Sequence, residues 1–284
     1  MDDNDGRRRG GLVDRADVAA RLKAREAGPP VLASKPGAIA PRVDARTEGN
    51  GDGGANDADD VIPFNPIRRL TGEHLTRSLA TAAHTLVTTE VDYAAVDAVR
   101  RRAGLTYLPF VARAVIDGLH RFPHLNASVV GDGLRLHPHV NLGIAVDLDF
   151  EGLIVPVVRK AEQLRLAALA DRIADLADRA RGRRLAATDI EGGTFTITNP
   201  GGYGTLVTGP IINQPQVAIV STDGVRMRPV ALPDQDGGWQ MTVRPVGNLS
   251  MSFDHRAVDG AYASAFLAAV RDTLATRDWN GELT

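Results

Sequence analysis

Residues 249–260 read L-S-M-S-F-D-H-R-A-V-D-G, and the rest of the chain is best read outward from them. Leu249 to Phe253 has the length and apolar content of a buried strand. Asp254, His255 and Arg256 then set three ionisable groups at its end, and Ala257 to Gly260 lead into a helix. Strand ends on a rigid scaffold are where reacting groups are commonly presented. A His-x-x-x-Asp spacing alone arises often by chance, but the whole D-H-R-A-V-D-G run behind an apolar strand is specific.

Upstream, helical and strand periods interleave as in a mixed α/β domain. Pro66 suits a first helical turn and opens a helix to about Ala83. A strand over Leu86–Asp92 follows, then a helix over Leu108–Arg121 that stops before Pro123. Strands are expected at Ala127–Val130, Leu134–His137, Leu142–Leu148 and Leu153–Val158. The clearest helix is Leu166–Arg181, with Leu166, Leu169, Ile173, Leu176 and Ala180 on one stripe and Gly182 as its stop. Strands resume at Thr194–Thr198, Gln216–Thr222 and Met241–Asp254, and a last helix runs from Gly260 with Tyr262, Phe266, Val270 and Leu274 on one face.

The first sixty residues differ in composition. Residues 48–60, E-G-N-G-D-G-G-A-N-D-A-D-D, hold no large apolar side chain and cannot offset their ordering entropy, so 1–60 is expected to be disordered. A short helix at Arg15–Glu26 is the exception, too brief to stand alone. Residues 61–284 form the expected globular domain.

The formal charge of −2 argues against a surface devoted to nucleic acid, which draws affinity from many cations. The chain has no cysteine, which excludes disulfides, thiolate metal sites and a thioester on the enzyme. No secretory signal or membrane-spanning run is seen, so a cytoplasmic protein is expected. Seven histidines are present. His74, His84, His120, His124, His137 and His139 read more simply as surface or hydrogen-bonded positions. The His137/His139 spacing suits metal but lacks a third ligand.

The run S-F-D-H-R-A-V-D-G resembles the active-site signature of the dihydrolipoamide acyltransferases, the core components of 2-oxoacid dehydrogenase complexes. Further landmarks of that family follow in order: I-P-F-N-P-I-R-R-L from Ile62, L-T-Y-L-P-F from Leu105, G-L-I-V-P-V-V from Gly152, G-T-F-T-I-T-N-P-G-G from Gly193 and P-I-I-N-Q-P-Q-V-A-I from Pro210. The resemblance covers Val61 to about Asp278. It implies a two-layer α/β sandwich, α+β in arrangement, related to chloramphenicol acetyltransferase. It also implies a homotrimer with active sites at subunit boundaries, admitting coenzyme A from one side and a dihydrolipoyl arm from the other. Residue by residue, it implies His255 as general base, Asp259 as its supporting carboxylate and Thr198 as the hydroxyl that stabilises an oxyanion.

The chemistry fits those residue types. A thiol near pKa 8.5 is mostly protonated at neutral pH, and an imidazole is matched to remove its proton. One well-placed hydroxyl donor stabilises the tetrahedral oxyanion by about 3 kcal/mol. Asp259 is expected to fix the loop rather than relay charge. Thr198 has an ordinary alternative as a strand threonine in T-F-T-I-T. Gly201, Gly202 and Gly204 are expected to form turns or a close backbone approach. The Arg100–Arg102, Arg181–Arg184 and Arg226–Arg228 clusters read as solvated faces, with no phosphate contact assigned.

Three departures from the family stand out. None of the three lysines, Lys23, Lys35 and Lys160, suits a lipoyl attachment at a hairpin tip, so the lipoyl group is expected in trans. Residues 10–22 resemble the last loop and helix of a partner-docking domain, as in a truncated chain. The end, D-W-N-G-E-L-T from Asp278, lacks a leucine-rich anchor, so an isolated trimer is expected. Two other readings stay open: a stand-alone coenzyme A-dependent acyltransferase with another acceptor, and a non-catalytic structural core subunit.

Overall fold

A computed structural model describes residues 61–283; the docking-like segment and the linker lie outside the described residues. In chain order the elements are α1 (Pro66–Thr81), β1 (His84–Asp92), α2 (Ala94–Ala103), α3 (Leu108–Arg121), β2 (Ala127–Val130), β3 (Gly133–Leu136), β4 (Leu142–Ile144), β5 (Val146–Asp147), β6 (Leu153–Ile154) and β7 (Val157–Val158). There follow α4 (Leu166–Arg181), β8 (Phe195–Thr198), β9 (Ala218–Thr222), β10 (Arg226–Pro233), β11 (Trp239–Asp254) and α5 (Gly260–Thr276).

The main sheet runs β1-β11-β9-β8-β4-β7. Neighbours are antiparallel except β9/β8 and β8/β4, which are parallel. β11 holds the sheet together. Its second half pairs with β1 along one edge and with β9 along the other, while its first half forms a long hairpin with β10.

Strand alternation separates two faces. Leu249, Met251 and Phe253 of β11, Phe195 and Ile197 of β8, and Ala218 and Val220 of β9 enter the main core. Phe195 there meets Phe266 of α5, with ring centroids 6.1 Å apart. Each such fully buried large side chain is worth about 1.5–3 kcal/mol. Gly118 lets α3 approach α5, since a Cβ there would stand 2.8 Å from the Phe266 ring. Ser250, Ser252, Thr196, Thr198 and Ile219 belong to the alternate positions, and Thr196, Thr198 and Ile219 line a cavity against α1. The strand at 249–253 is therefore two-faced rather than uniformly apolar.

Most expected elements appear, with informative differences. Pro156 and a break at Ala145 split the strands expected at 142–148 and 153–158 into short pairs. α2 and β10 were not anticipated, and α1 ends at Thr81, so His84 opens β1 instead of lying in the helix. Trp279 is buried against Phe110 at a centroid distance of 5.2 Å, so it packs within its own domain. Several apolar side chains remain exposed on the N-terminal segment (Ile62, Phe64, Leu70) and on the β10–β11 hairpin (Met227, Trp239, Met241).

Candidate active site

His255 lies one residue beyond β11, on a turn fixed from beneath by Asp254. The Asp254 carboxylate is fully buried and accepts hydrogen bonds from Arg256 Nε (3.0 and 3.1 Å), Arg256 Nη2 (2.6 Å), the Arg256 backbone N–H (3.0 Å) and the Ala83 N–H (3.2 Å). Burial by itself would raise its pKa, but these donors and the guanidinium charge outweigh it and hold the carboxyl below its usual range. The His255 N–H donates to Ala83 O at 2.9 Å, tying the turn to the start of β1. The imidazole is exposed and stands 5.6 Å, centroid to centroid, from the Phe253 ring.

Asp259 caps α5, its Oδ1 accepting from Tyr262 N–H at 3.0 Å. Acidic caps of this kind satisfy donors that the helix leaves unpaired. With His255, Arg256, Tyr262 and His124 it borders a cavity of about 310 Å³. The His124 and Tyr262 rings stack at 5.3 Å.

Thr198 ends β8 and lines a different cavity, of about 470 Å³, between the sheet and α1. Its floor is polar and ordered. His74 Nε2 is 3.0 Å from Asn213 Oδ1, Asn213 Nδ2 donates to Thr196 Oγ1 at 3.3 Å, and Thr196 Oγ1 donates to Gln216 Oε1 at 2.7 Å. The glycine-rich loop after Thr198 packs tightly on Asp223: a Cβ at Gly201 would lie 2.9 Å from the Asp223 backbone, and Gly204 has φ +72°. A Cβ at Gly202 would meet nothing within 4 Å, so the demand for glycine falls on Gly201 and Gly204. Asp223 Oδ1 accepts from Thr205 (2.7 Å) and Thr208 (2.6 Å), which closes this loop.

Within one protomer, His255 and Thr198 do not meet. Thr198 pairs with Ser221, and Ser221 with Ser250, five residues before His255. Two strand spacings of about 4.8 Å and five rises of about 3.3 Å separate the two Cα atoms by roughly 19 Å. A hydrogen bond spans about 3 Å, so these side chains cannot act on one acyl group inside a single protomer.

His84 ties the two regions together structurally. Its Nε2 accepts from the Ile212 N–H at 3.1 Å while Nδ1 lies 3.2 Å from Ala82 O, which makes Nδ1 the protonated nitrogen. His137 and His139 have separate partners, Ser128 Oγ at 2.9 Å and Glu162 Oε1 at 2.8 Å. Among the described residues no cluster of three or more acidic, histidine or cysteine side chains could hold a metal. Most of the arginines considered for phosphate binding have protein partners: Arg100 and Arg101 pair with Asp97, Arg183 with Glu151, Arg228 with Glu90, and Arg226 donates to Gly204 O. Reading the sequence missed the support that Asp254 and Arg256 give the turn, and it missed the His74–Gln216 chain. The first was signalled by an acid and a base flanking His255; the second joins residues from α1, β8 and a loop and has no local signature.

No helix of the described residues is long and apolar enough to cross a membrane. Residues 56–279 match the profile of the 2-oxoacid dehydrogenases acyltransferase catalytic domain. The chain is 36% identical over 225 residues to the succinyltransferase component of the 2-oxoglutarate dehydrogenase complex of Bacillus subtilis, covering 76% of this chain and 53% of that protein. It is 39% identical over 220 residues to the acetyltransferase component of the pyruvate dehydrogenase complex of Mycobacterium bovis, covering 73% and 40%. The crystal structure of Azotobacter vinelandii dihydrolipoamide acetyltransferase superposes with a TM-score of 0.72 at 32% identity, covering 80% of this chain and 95% of that one. The chain thus spans about half the length of the curated relatives it matches. With the matched fold, the matched profile and the D-H-R-A-V-D-G turn in agreement, the chain belongs to the 2-oxoacid dehydrogenase acyltransferase family.

Proposed function

We propose that this chain transfers an acyl group between a dihydrolipoyl thiol and coenzyme A, within a 2-oxoacid dehydrogenase complex, at sites completed between protomers of a homotrimer. The observation that carries the reading is the His255 turn: an exposed imidazole on a backbone held by a buried, multiply bonded carboxylate. His255 of one protomer meets the Thr198 cavity of its neighbour. The roughly 19 Å between the two residues in one chain favours this arrangement. So do the exposed apolar side chains of the N-terminal segment and the β10–β11 hairpin, which offer surface for a second copy.

In this reading the His255 imidazole takes the proton of the coenzyme A thiol. The thiolate attacks the acyl carbonyl carbon held on the dihydrolipoyl sulfur. The Thr198 hydroxyl donates to the resulting oxyanion, in the role for which one donor is worth about 2.7–4 kcal/mol. Collapse breaks the bond to the dihydrolipoyl sulfur, which takes the proton back from His255. Asp259 acts by fixing the start of α5, since its carboxylate is engaged by the Tyr262 N–H. In the Azotobacter enzyme a serine, a histidine and, four residues after it, an asparagine have been studied for their role in catalysis; here the residue four after His255 is Asp259.

The dihydrolipoyl group reaches the site from outside the catalytic domain. Lys160, the lysine among the described residues, sits in a left-handed turn with its N–H bonded to Asn141 Oδ1 at 3.0 Å, inside the catalytic domain. The test is transfer from acyl-CoA thioesters to free dihydrolipoamide, wild type against His255→Ala. A fall of roughly 100-fold or more is expected from losing the general base; an unchanged rate would exclude the mechanism.

A further inference from the structure

We propose that His74 reads the tail of the acyl group, and that the cavity holding Thr198 is built for a tail ending in a carboxylate, such as a succinyl thioester. The inference rests on the acyl-transfer reading above and narrows its substrate class. Leu70, Leu75, Leu153, Val155 and Ile211 give the cavity an aliphatic wall, and His74 is the one ionisable side chain among its described lining residues. A carboxylate brought into such a lining without a counter-charge is strongly disfavoured. His74 is the group able to supply that charge.

Its orientation is fixed by a directed chain. Thr196 Oγ1 gives its proton to Gln216 Oε1 and accepts from Asn213 Nδ2. Asn213 therefore turns its oxygen to His74, and the 3.0 Å bond is a donation from His74 Nε2–H. Nδ1 has no partner among the described residues. Thr196 is fully buried and Gln216 nearly so. Ordering four polar groups in series, two of them buried, carries a cost that a leucine at position 74 would avoid, and the product of the chain is one imidazole held at a cavity wall. A carboxylate arriving at Nδ1 favours the charged ring, because an opposite charge within about 4–6 Å stabilises imidazolium. Nε2–H is already engaged, so the protonated ring donates from both nitrogens. A neutral tail gains nothing from this arrangement.

The test compares wild type, His74→Leu and His74→Arg in the full chain. One measurement is kcat/KM for succinyl and butyryl transfer from coenzyme A to free dihydrolipoamide; the other is calorimetric binding of S-succinyl- and S-butyryl-dihydrolipoamide. Wild type should favour succinyl by about tenfold or more. His74→Leu should lose about 10- to 100-fold on succinyl, the size of one charge-assisted hydrogen bond, and stay within about twofold on butyryl. His74→Arg should keep succinyl within about threefold of wild type. Wild type preferring butyryl, or His74→Leu lowering both tails equally, overturns the inference. Turnover of both thioesters without discrimination leaves the acyl-transfer reading intact while refuting the role of His74. Tight, His74-dependent binding of the succinyl thioester without any turnover does the reverse, and binding of neither refutes both.

Discussion

Two variants that are each inactive should restore one another when assembled together. His255→Ala chains lack the base but keep the threonine; Thr198→Ala chains keep the base but lack the donor. Each homo-oligomer should work at about 1% of wild type, given losses of about 100-fold for either group. In a closed ring of heterologous contacts every boundary takes His255 from one protomer and Thr198 from the next. With equal amounts mixed at random, a boundary is intact when a Thr198→Ala chain supplies His255 and a His255→Ala chain supplies Thr198, about one half times one half. Over all oligomers roughly a quarter of wild-type activity should return; in a trimeric ring that holds both chains one boundary in three is intact, so doubly tagged oligomers should reach about one third, some 30 times the background of either parent. The two chains, distinguished by tags, are co-expressed, the doubly tagged oligomers isolated, and transfer from acyl-CoA to dihydrolipoamide measured at fixed total chain concentration, with sedimentation confirming three chains per particle. Mixed oligomers that stay at about 1% would refute the shared site, because the roughly 19 Å separation leaves no route for both residues to act within one chain.

Two further outcomes follow from the turn and the core. Asp254→Asn replaces an acceptor of four donor groups, and should lower stability by about 1–3 kcal/mol in urea melts while reducing activity through the misplaced His255. Because the Asp254 carboxyl is held below its ordinary value, its contribution is complete above about pH 4, the unfolded value, and is lost as pH falls through the depressed folded one. The stability gap between wild type and Asp254→Asn should therefore be flat from neutrality down to about pH 4 and close only below it; a gap that closes between pH 5 and 7 would contradict the assignment. Trp279→Ala should cost about 3–5 kcal/mol, as a buried aromatic does, and leave the oligomeric state unchanged; loss of assembly at full stability would make Trp279 an anchor after all.

Much of the fold was legible because its period was strong. Helices α3 and α4 have the bounds their apolar stripes predict, and β11 differs from expectation by two residues at one end. α2 escaped notice because only Val96 and Val99 mark its buried face, beside the run Arg100–Arg102. β10 escaped because Pro229 and Pro233 speak against a central strand, and it pairs with β11 alone. At the site, the His255 turn could be read because it is contiguous in sequence. His74 could not: on a helix it is one polar residue among several, and its meaning comes from Asn213 and Thr196, more than 100 residues away. The separation of His255 from Thr198 was equally hidden, since it depends on the strand order β11-β9-β8.

The alternation along β11 limits how this protein can change over generations. Leu249, Met251 and Phe253 serve the interior while Ser250, Ser252 and Asp254 serve the opposite side, so inserting or deleting one residue here would exchange the two sets and swing His255 to the wrong face. Length variation is therefore excluded from 249–254 and confined to the far tip of the hairpin, around Asp234–Gly238, where two extra residues would lengthen the ribbon without disturbing the catalytic end. A mutational library seeking new acyl donors would do well to keep every codon of that segment in place and vary its neighbours instead.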